Sequence, residues 1–107
     1  MAQFDVHRNN GRSRIQYPFL VIVQSGLLRR WDRRVVIPMA VGVTIDPDPQ
    51  LTPAFEVDGM QAYLLAREVG NVPIAALGEL VGNLDREADR IVNALDMVFS
   101  RGFPVHS

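Results

Sequence analysis

Cysteine and lysine are both missing from this 107-residue chain. Without cysteine there is no disulfide, no thiolate chemistry and no cysteine-ligated zinc site. Without lysine, all 11 basic residues are arginine. Arginine pairs bidentately with carboxylates and phosphates and stacks on rings, although a genomic compositional bias explains the same usage. No apolar run approaches the roughly 18 residues that a membrane span needs. Met1-Ala2-Gln3-Phe4-Asp5 lacks the basic and apolar regions of a signal peptide, so the expected compartment is the cytoplasm. There is no glycine-rich phosphate loop, no internal repeat and no low-complexity tract.

What remains is ordinary globular composition, 48% apolar and 21% charged, so disorder is not expected outside the two ends. The length fits one domain spanning residues 1–107, with 101–107 as a tail that can be flexible. Burying about two-thirds of the unfolded surface makes such a chain stable alone, though an oligomer would help. The net charge of −1 hides an asymmetry. Residues 1–45 hold seven arginines against Asp5 and Asp32; residues 46–107 hold four against ten carboxylates. The overall charge does not point to a nucleic-acid binder, although a local basic surface is compatible with it.

Alternation marks strands at Phe4–His7, Tyr17–Gln24 and Arg33–Val43, with Pro38 suggesting an edge strand or a bulge. Asn9 to Ser13 reads as a loop, and Asp46 to Pro53 as a rigid surface connection. Ala54–Val57 and Met60–Leu65 flank Asp58-Gly59, a hairpin signal. Asn71 to Ile74 starts a short extended piece, and Leu77–Val81 is ambiguous between strand and turn. Asp85 is placed to cap a helix. Ala88, Ile91, Val92, Leu95, Val98 and Phe99 recur at helical spacing, and Gly102 and Pro104 end the helix. The expected fold is mainly β, a small curled antiparallel sheet or barrel with one C-terminal helix.

Chemistry-bearing residues are few. His7 reads as a half-exposed strand residue and His106 as a tail residue; neither lies in a nucleophile motif. Asp85, Glu87 and Asp89 are spaced for capping and solvation rather than for convergence on a metal. Asp46 and Asp48 lack the rest of a calcium loop. The richest contact segment is Arg29-Arg30-Trp31-Asp32-Arg33-Arg34, preceded by Leu27-Leu28. Such a loop can grip single-stranded nucleic acid by charge and stacking. It can equally hold an acidic peptide with Trp31 as anchor, or be a solvated loop with Trp31 folded over its own hairpin. The leucine pair is either a local apolar satellite or part of an interface.

Val23-Gln24-Ser25, Leu27-Leu28 and Arg33-Arg34-Val35-Val36-Ile37-Pro38 resemble the CcdB family of toxins. The resemblance runs on through Phe4, Arg12–Arg14, Pro53–Val57, Asn71-Val72-Pro73-Ile74, Gly78-Glu79-Leu80-Val81 and Ile91, Asn93-Ala94-Leu95 and Phe99. It implies a CcdB/Kid-type barrel, a cytoplasmic homodimer without cofactor, and no enzymatic activity. It also implies binding to the DNA gyrase A subunit, with trapping of cleaved DNA, and neutralisation by a CcdA-like antitoxin with an acidic tail. DNA is then met only through gyrase or antitoxin complexes. In the family a terminal Trp-Gly-Ile follows the phenylalanine matching Phe99; here Ser100-Arg101-Gly102-Phe103 follows, and Asp96 replaces an asparagine. The implied gyrase contacts are Leu27, Leu28, Asp96, Phe99, Ser100, Arg101, Gly102 and Phe103, with Phe99 expected in the core and, with Val98, at the dimer contact. Charge complementarity places the antitoxin on Arg12, Arg14, Arg29, Arg30, Arg33 and Arg34. Two alternatives stand beside this. One is a Kid/MazF-like endoribonuclease using His7, Asp32 and loop arginines. The other is a repurposed protein that binds antitoxin without poisoning gyrase.

Overall fold

Apolar alternation in the first half builds strands, and helical spacing at the end builds one helix. The structure, a computed structural model, describes residues 1–26, 30–42, 48 and 50–99. Seven strands form one antiparallel sheet: β1 Asp5–Asn9, β2 Phe19–Ile22, β3 Arg33–Val41, β4 Ala54–Val57, β5 Met60–Leu64, β6 Gly70–Pro73 and β7 Leu77–Asn83. The one α-helix among the described residues, α1, spans Ala88–Phe99. The strand order is β4-β5-β3-β2-β1-β7, with β6 also paired to β3. The mainly-β architecture with a C-terminal helix is therefore as the sequence implied.

β3 organises the sheet. One of its edges pairs with β2 from Phe19↔Met39 to Ile22↔Val36. The other is shared, with β6 pairing residues 33–36 and β5 pairing residues 39–41. Pro38 was expected to mark an edge strand or bulge, yet β3 is central. The ring sits where β3 passes from β6 to β5, the one stretch of that edge without a paired residue, and its carbonyl accepts the Leu65 N–H at 3.0 Å. A missing donor costs little at such a junction.

Alternate side chains of the sheet point inward. Val6, Phe19, Val21, Ile37, Met39, Phe55, Val57, Ala62 and Leu64 meet Ile91 and Ala94 of α1 in one core. The opposite face carries a smaller cluster of Leu20, Ile22 and Val36, covered by Val72 and Leu77. The β4–β5 turn is tight, with φ of 52° at Asp58 and 78° at Gly59, as a two-residue primed hairpin requires. Phe4 enters β1 at φ 70°, held by its N–H to the Ile22 carbonyl and by the Leu84 N–H to its own carbonyl.

Arg8 shows that the sheet is curled. It pairs with Asp58, in the turn of the hairpin at one end of the strand order, and at 3.0 Å with Glu79 of β7, the strand at the other end. Glu79 first, and then Asp58, raise the guanidinium pKa above its ordinary value.

Three local expectations need correction. Asp85 does not cap the helix by its side chain; a 3₁₀ turn, Asp85–Glu87, precedes α1, and the Asn83 side chain accepts the Asp85 N–H at 2.7 Å. His7 is buried, not half-exposed. The helix's inner face is centred on Ile91 and Ala94, so Val92 and Phe99 are turned outward, and Phe99 at 67% exposure is not a core residue. The stop signals Gly102 and Pro104 lie outside the described residues, as does Val43 at the expected end of β3.

Candidate functional site

The outward side of α1 is the first surface. Because residues 91 and 94 are spent on the core, Val92, Met97 and Phe99 are left exposed, at 45%, 47% and 67%. Val92 and Phe99 are seven apart, about two turns, and so share a face. Asp96, one of the expected gyrase contacts, is exposed beside them. The other expected contacts, Leu27, Leu28, Ser100, Arg101, Gly102 and Phe103, lie outside the described residues.

The arginines expected to hold an antitoxin come from two stretches of the chain. Arg12 and Arg14 are exposed on the β1–β2 loop. Arg30, Arg33 and Arg34 sit at and before the start of β3. The short turn Ile74–Ala76 lies between the two stretches: the Asn10 N–H donates to the Ala76 carbonyl at 2.8 Å, and the Ile74 N–H donates to the Asp32 carbonyl at 3.3 Å. Arg33 donates to the Asn71 side chain of β6. Arg34 is buried and donates to the carbonyls of Trp31 and, at 2.7 Å, Arg33, so it shapes its own loop. Trp31 is 41% exposed. Arg29 is outside the described residues.

A cleft of about 500 Å³ opens between the β1–β2 loop, the end of β3 and the 3₁₀ turn Ala66–Glu68. Gln16, Tyr17, Thr52, Arg67 and Glu68 supply its polar lining. It brings a cation, a carboxylate and hydroxyls into one concavity. No motif announced it, because its parts come from three separate stretches of sequence.

Among the described residues, no hydrogen bond or ion pair joins His7 to Asp32, the acid–base residues considered for RNA cleavage. His7 stands opposite Leu20 in mid-strand, and its Nδ1 bonds the Gly78 carbonyl at 2.8 Å. Its Nε2 is buried with no hydrogen-bond partner. Asp32 is exposed and precedes β3, at the sheet end that carries Arg33. Arg8 and Arg90 are the functional-looking cations that sequence reading missed. Arg90 donates to the Ala54 carbonyl at 2.7 Å and to Glu87 at 2.6 Å, and stacks 4.2 Å over the Phe55 ring. Only the tertiary approach of α1 to β4 exposes that role.

Comparison with known proteins adds a family and a fold. The family model described as CcdB protein matches residues 3–101. Among solved structures, the Mycobacterium tuberculosis toxin MazF-mt6 superposes with a TM-score of 0.73 at 13% identity, covering 89% of this chain and 95% of that one. An endoribonuclease from a mycobacterial species gives 0.71 at 16% identity, with 97% and 95% covered. An endoribonuclease in complex with its cognate antitoxin, also mycobacterial, gives 0.69 at 17%, with 97% and 99% covered. At these identities the structural likeness is one of fold.

Proposed function

The chain belongs to the CcdB family, which makes it the toxin of a toxin–antitoxin pair, and on that premise we propose that it acts by binding the A subunit of DNA gyrase and trapping the cleaved-DNA complex. The observation that carries this reading is the exposed apolar side of α1, ending in Phe99. An aromatic ring left in solvent at the end of a helix is the kind of anchor that dominates protein interfaces. Asp96 and Phe99 are then contacts, and Phe103 joins them as the aromatic following the helix. The protein is a homodimer in this reading, with Val92 and Phe99 at or beside the contact between protomers.

The antitoxin partner is an acidic segment. Arg12 and Arg14, with Arg30 and Arg33, are its contacts. Salt should slow its association, because exposed charge pairs are screened beyond about 10 Å at 0.1 M.

The test is trapping of cleaved plasmid by purified gyrase with wild type, Phe99→Ala, Phe103→Ala and a chain ending at Phe99. Loss of trapping in the aromatic variants, with folding intact, is expected. Equal trapping by all four would remove the helix end from the site.

A second reading, an endoribonuclease, is favoured by the cleft that joins Tyr17, Arg67 and Glu68. Cleavage that exchanges a proton with a 2′-hydroxyl needs a base within hydrogen-bond reach, and Glu68 is the carboxylate there. Cutting of single-stranded RNA by wild type and not by Glu68→Gln would establish it. RNA left intact by wild type, together with gyrase trapping, would exclude it. A protein that binds antitoxin and does neither would be a repurposed family member.

A further inference from the structure

β4 is an end strand of the sheet, and among the described residues only β5 pairs with it. Val57 and Met60 close the two-residue turn, so residues 57, 55 and 53 direct their backbone groups to β5; the Leu64 N–H on the Pro53 carbonyl at 3.0 Å fits that phase. Ala54 and Glu56 therefore direct theirs to the open edge. The Ala54 carbonyl accepts from Arg90 at 2.7 Å; the Ala54 N–H and the backbone groups of Glu56 are the part of this edge that can template an added strand.

The edge is not flat against solvent. Depressions of about 520 and 400 Å³ adjoin it, a third of about 350 Å³ lies between Gln50 and α1, and Arg90 lines all three. One wall is the outer face of the β4–β5 hairpin and the other is the exposed side of α1. Together they form a groove with Arg90 at its middle. Among the described residues, the charges lining it are Asp48, Glu56, Glu87 and Asp96 against Arg90. Met97 contributes apolar surface at one end.

Arg90 shows what the groove accepts. Its guanidinium takes the outward Ala54 carbonyl, pairs with Glu87 and stacks on Phe55. These are the contacts that an arriving arginine would make: a backbone acceptor, a carboxylate and a ring face. The chain fills the position with a cation of its own, and carboxylates remain on both sides of it.

We propose that the β4 edge and the facing side of α1 form a docking groove for an extended, arginine-rich segment of a partner protein, which adds as a strand beside β4. Alternate side chains of that strand face Glu56 on the hairpin and Asp96 on the helix. This surface has the opposite charge from the two arginine stretches and is separate from them. The inference does not depend on whether gyrase or RNA is the target.

The probe is a fluorescein-labelled octaarginine peptide, which presents arginine on both faces of an added strand, with an octaglutamate peptide as comparison, titrated against the full chain by anisotropy. Binding of the arginine peptide at micromolar concentration is expected, with affinity at least tenfold above the glutamate peptide. Glu56→Lys and Asp96→Lys should each weaken it tenfold or more, and both sites are exposed, so folding is unaffected. Amide exchange at Ala54 and Glu56 should slow on binding, which charge attraction without strand addition would not cause. Equal binding of the two peptides, or no effect of the lysine variants, would overturn the proposal. So would unchanged exchange at Ala54 and Glu56. If the peptide fails to bind while Glu56→Lys alters the mass seen by light scattering, the edge belongs to a second copy and the proposal also fails.

Discussion

Ile91 and Phe99 lie about two turns apart on one helix and differ in what their removal leaves behind. Ile91 is fully buried among Val21, Ile37 and their neighbours, so Ile91→Ala should cost about 2–5 kcal/mol in transfer and cavity terms. Phe99 is 67% exposed, and a surface truncation there should stay within about 0.5 kcal/mol. Urea unfolding of the two variants checks the difference, and it decides whether Phe99 can be tested for function without unfolding the protein. Gly78 is a second informative position. A Cβ there would stand 2.8 Å from the Asn10 Oδ1 and 3.0 Å from the Arg8 carbonyl. Gly78→Ala should therefore cost about 1–3 kcal/mol as overpacking, and it should shift the His7 ring, whose Nδ1 is bonded to the Gly78 carbonyl. A chemical-shift change at His7 would report it.

At the scale of elements, the β4–β5 hairpin depends on its turn. Nothing lies within 4 Å of a Cβ built on Gly59, so Gly59→Ala tests backbone conformation alone, at φ 78°. The expected loss is about 1–2 kcal/mol, read as a lower denaturation midpoint with an unchanged slope. The same turn carries Asp58, the partner of Arg8. Asp58→Asn should leave the turn formed and speed amide exchange in β4 and β5, more at low salt than at high salt, where the ion pair is already screened. This hairpin was legible in the sequence because its signal is local: two dihedral angles and the residues that tolerate them. The three opening strands and the helix were legible for the same reason. Pro38 was misjudged because its tolerance depends on two strands that share β3 from elsewhere in the chain. Val92 and Phe99 were misjudged because apolar spacing defines a stripe wider than the core covers; Ala94, small and not counted in that stripe, is fully buried. The candidate site was legible as residue types, not as places. The arginines were found, but only the bonds of the Ile74–Ala76 turn to Asn10 and Asp32 show how the two stretches that carry them are joined. Arg90 and the Tyr17–Glu68 cleft needed contacts between stretches remote in sequence.

For the whole molecule, the exposed side of α1 carries a prediction about assembly. Light scattering at tens of micromolar should give twice the 12.0 kDa chain mass, and Val92→Asp with Phe99→Asp should lower it toward the monomer. A monomer mass for wild type would count against the dimer.

The hydrogen bond from Leu84 to Phe4 and the pairing of β1 with β7 bear on how the chain is made. β1 leaves the ribosome well before β7, its second neighbour. Ile91 and Ala94, which complete the core, come later still. Translation at roughly 5–20 residues per second therefore leaves several seconds in which a growing chain displays β2 and β3 yet has no finished interior. A toxin built in this order should lack its finished fold until α1 has emerged, and the antitoxin has that interval in which to be present. Nascent chains stalled so that only residues 1–76 have emerged should be cut readily by protease, whereas chains stalled with residue 99 well clear of the tunnel should resist.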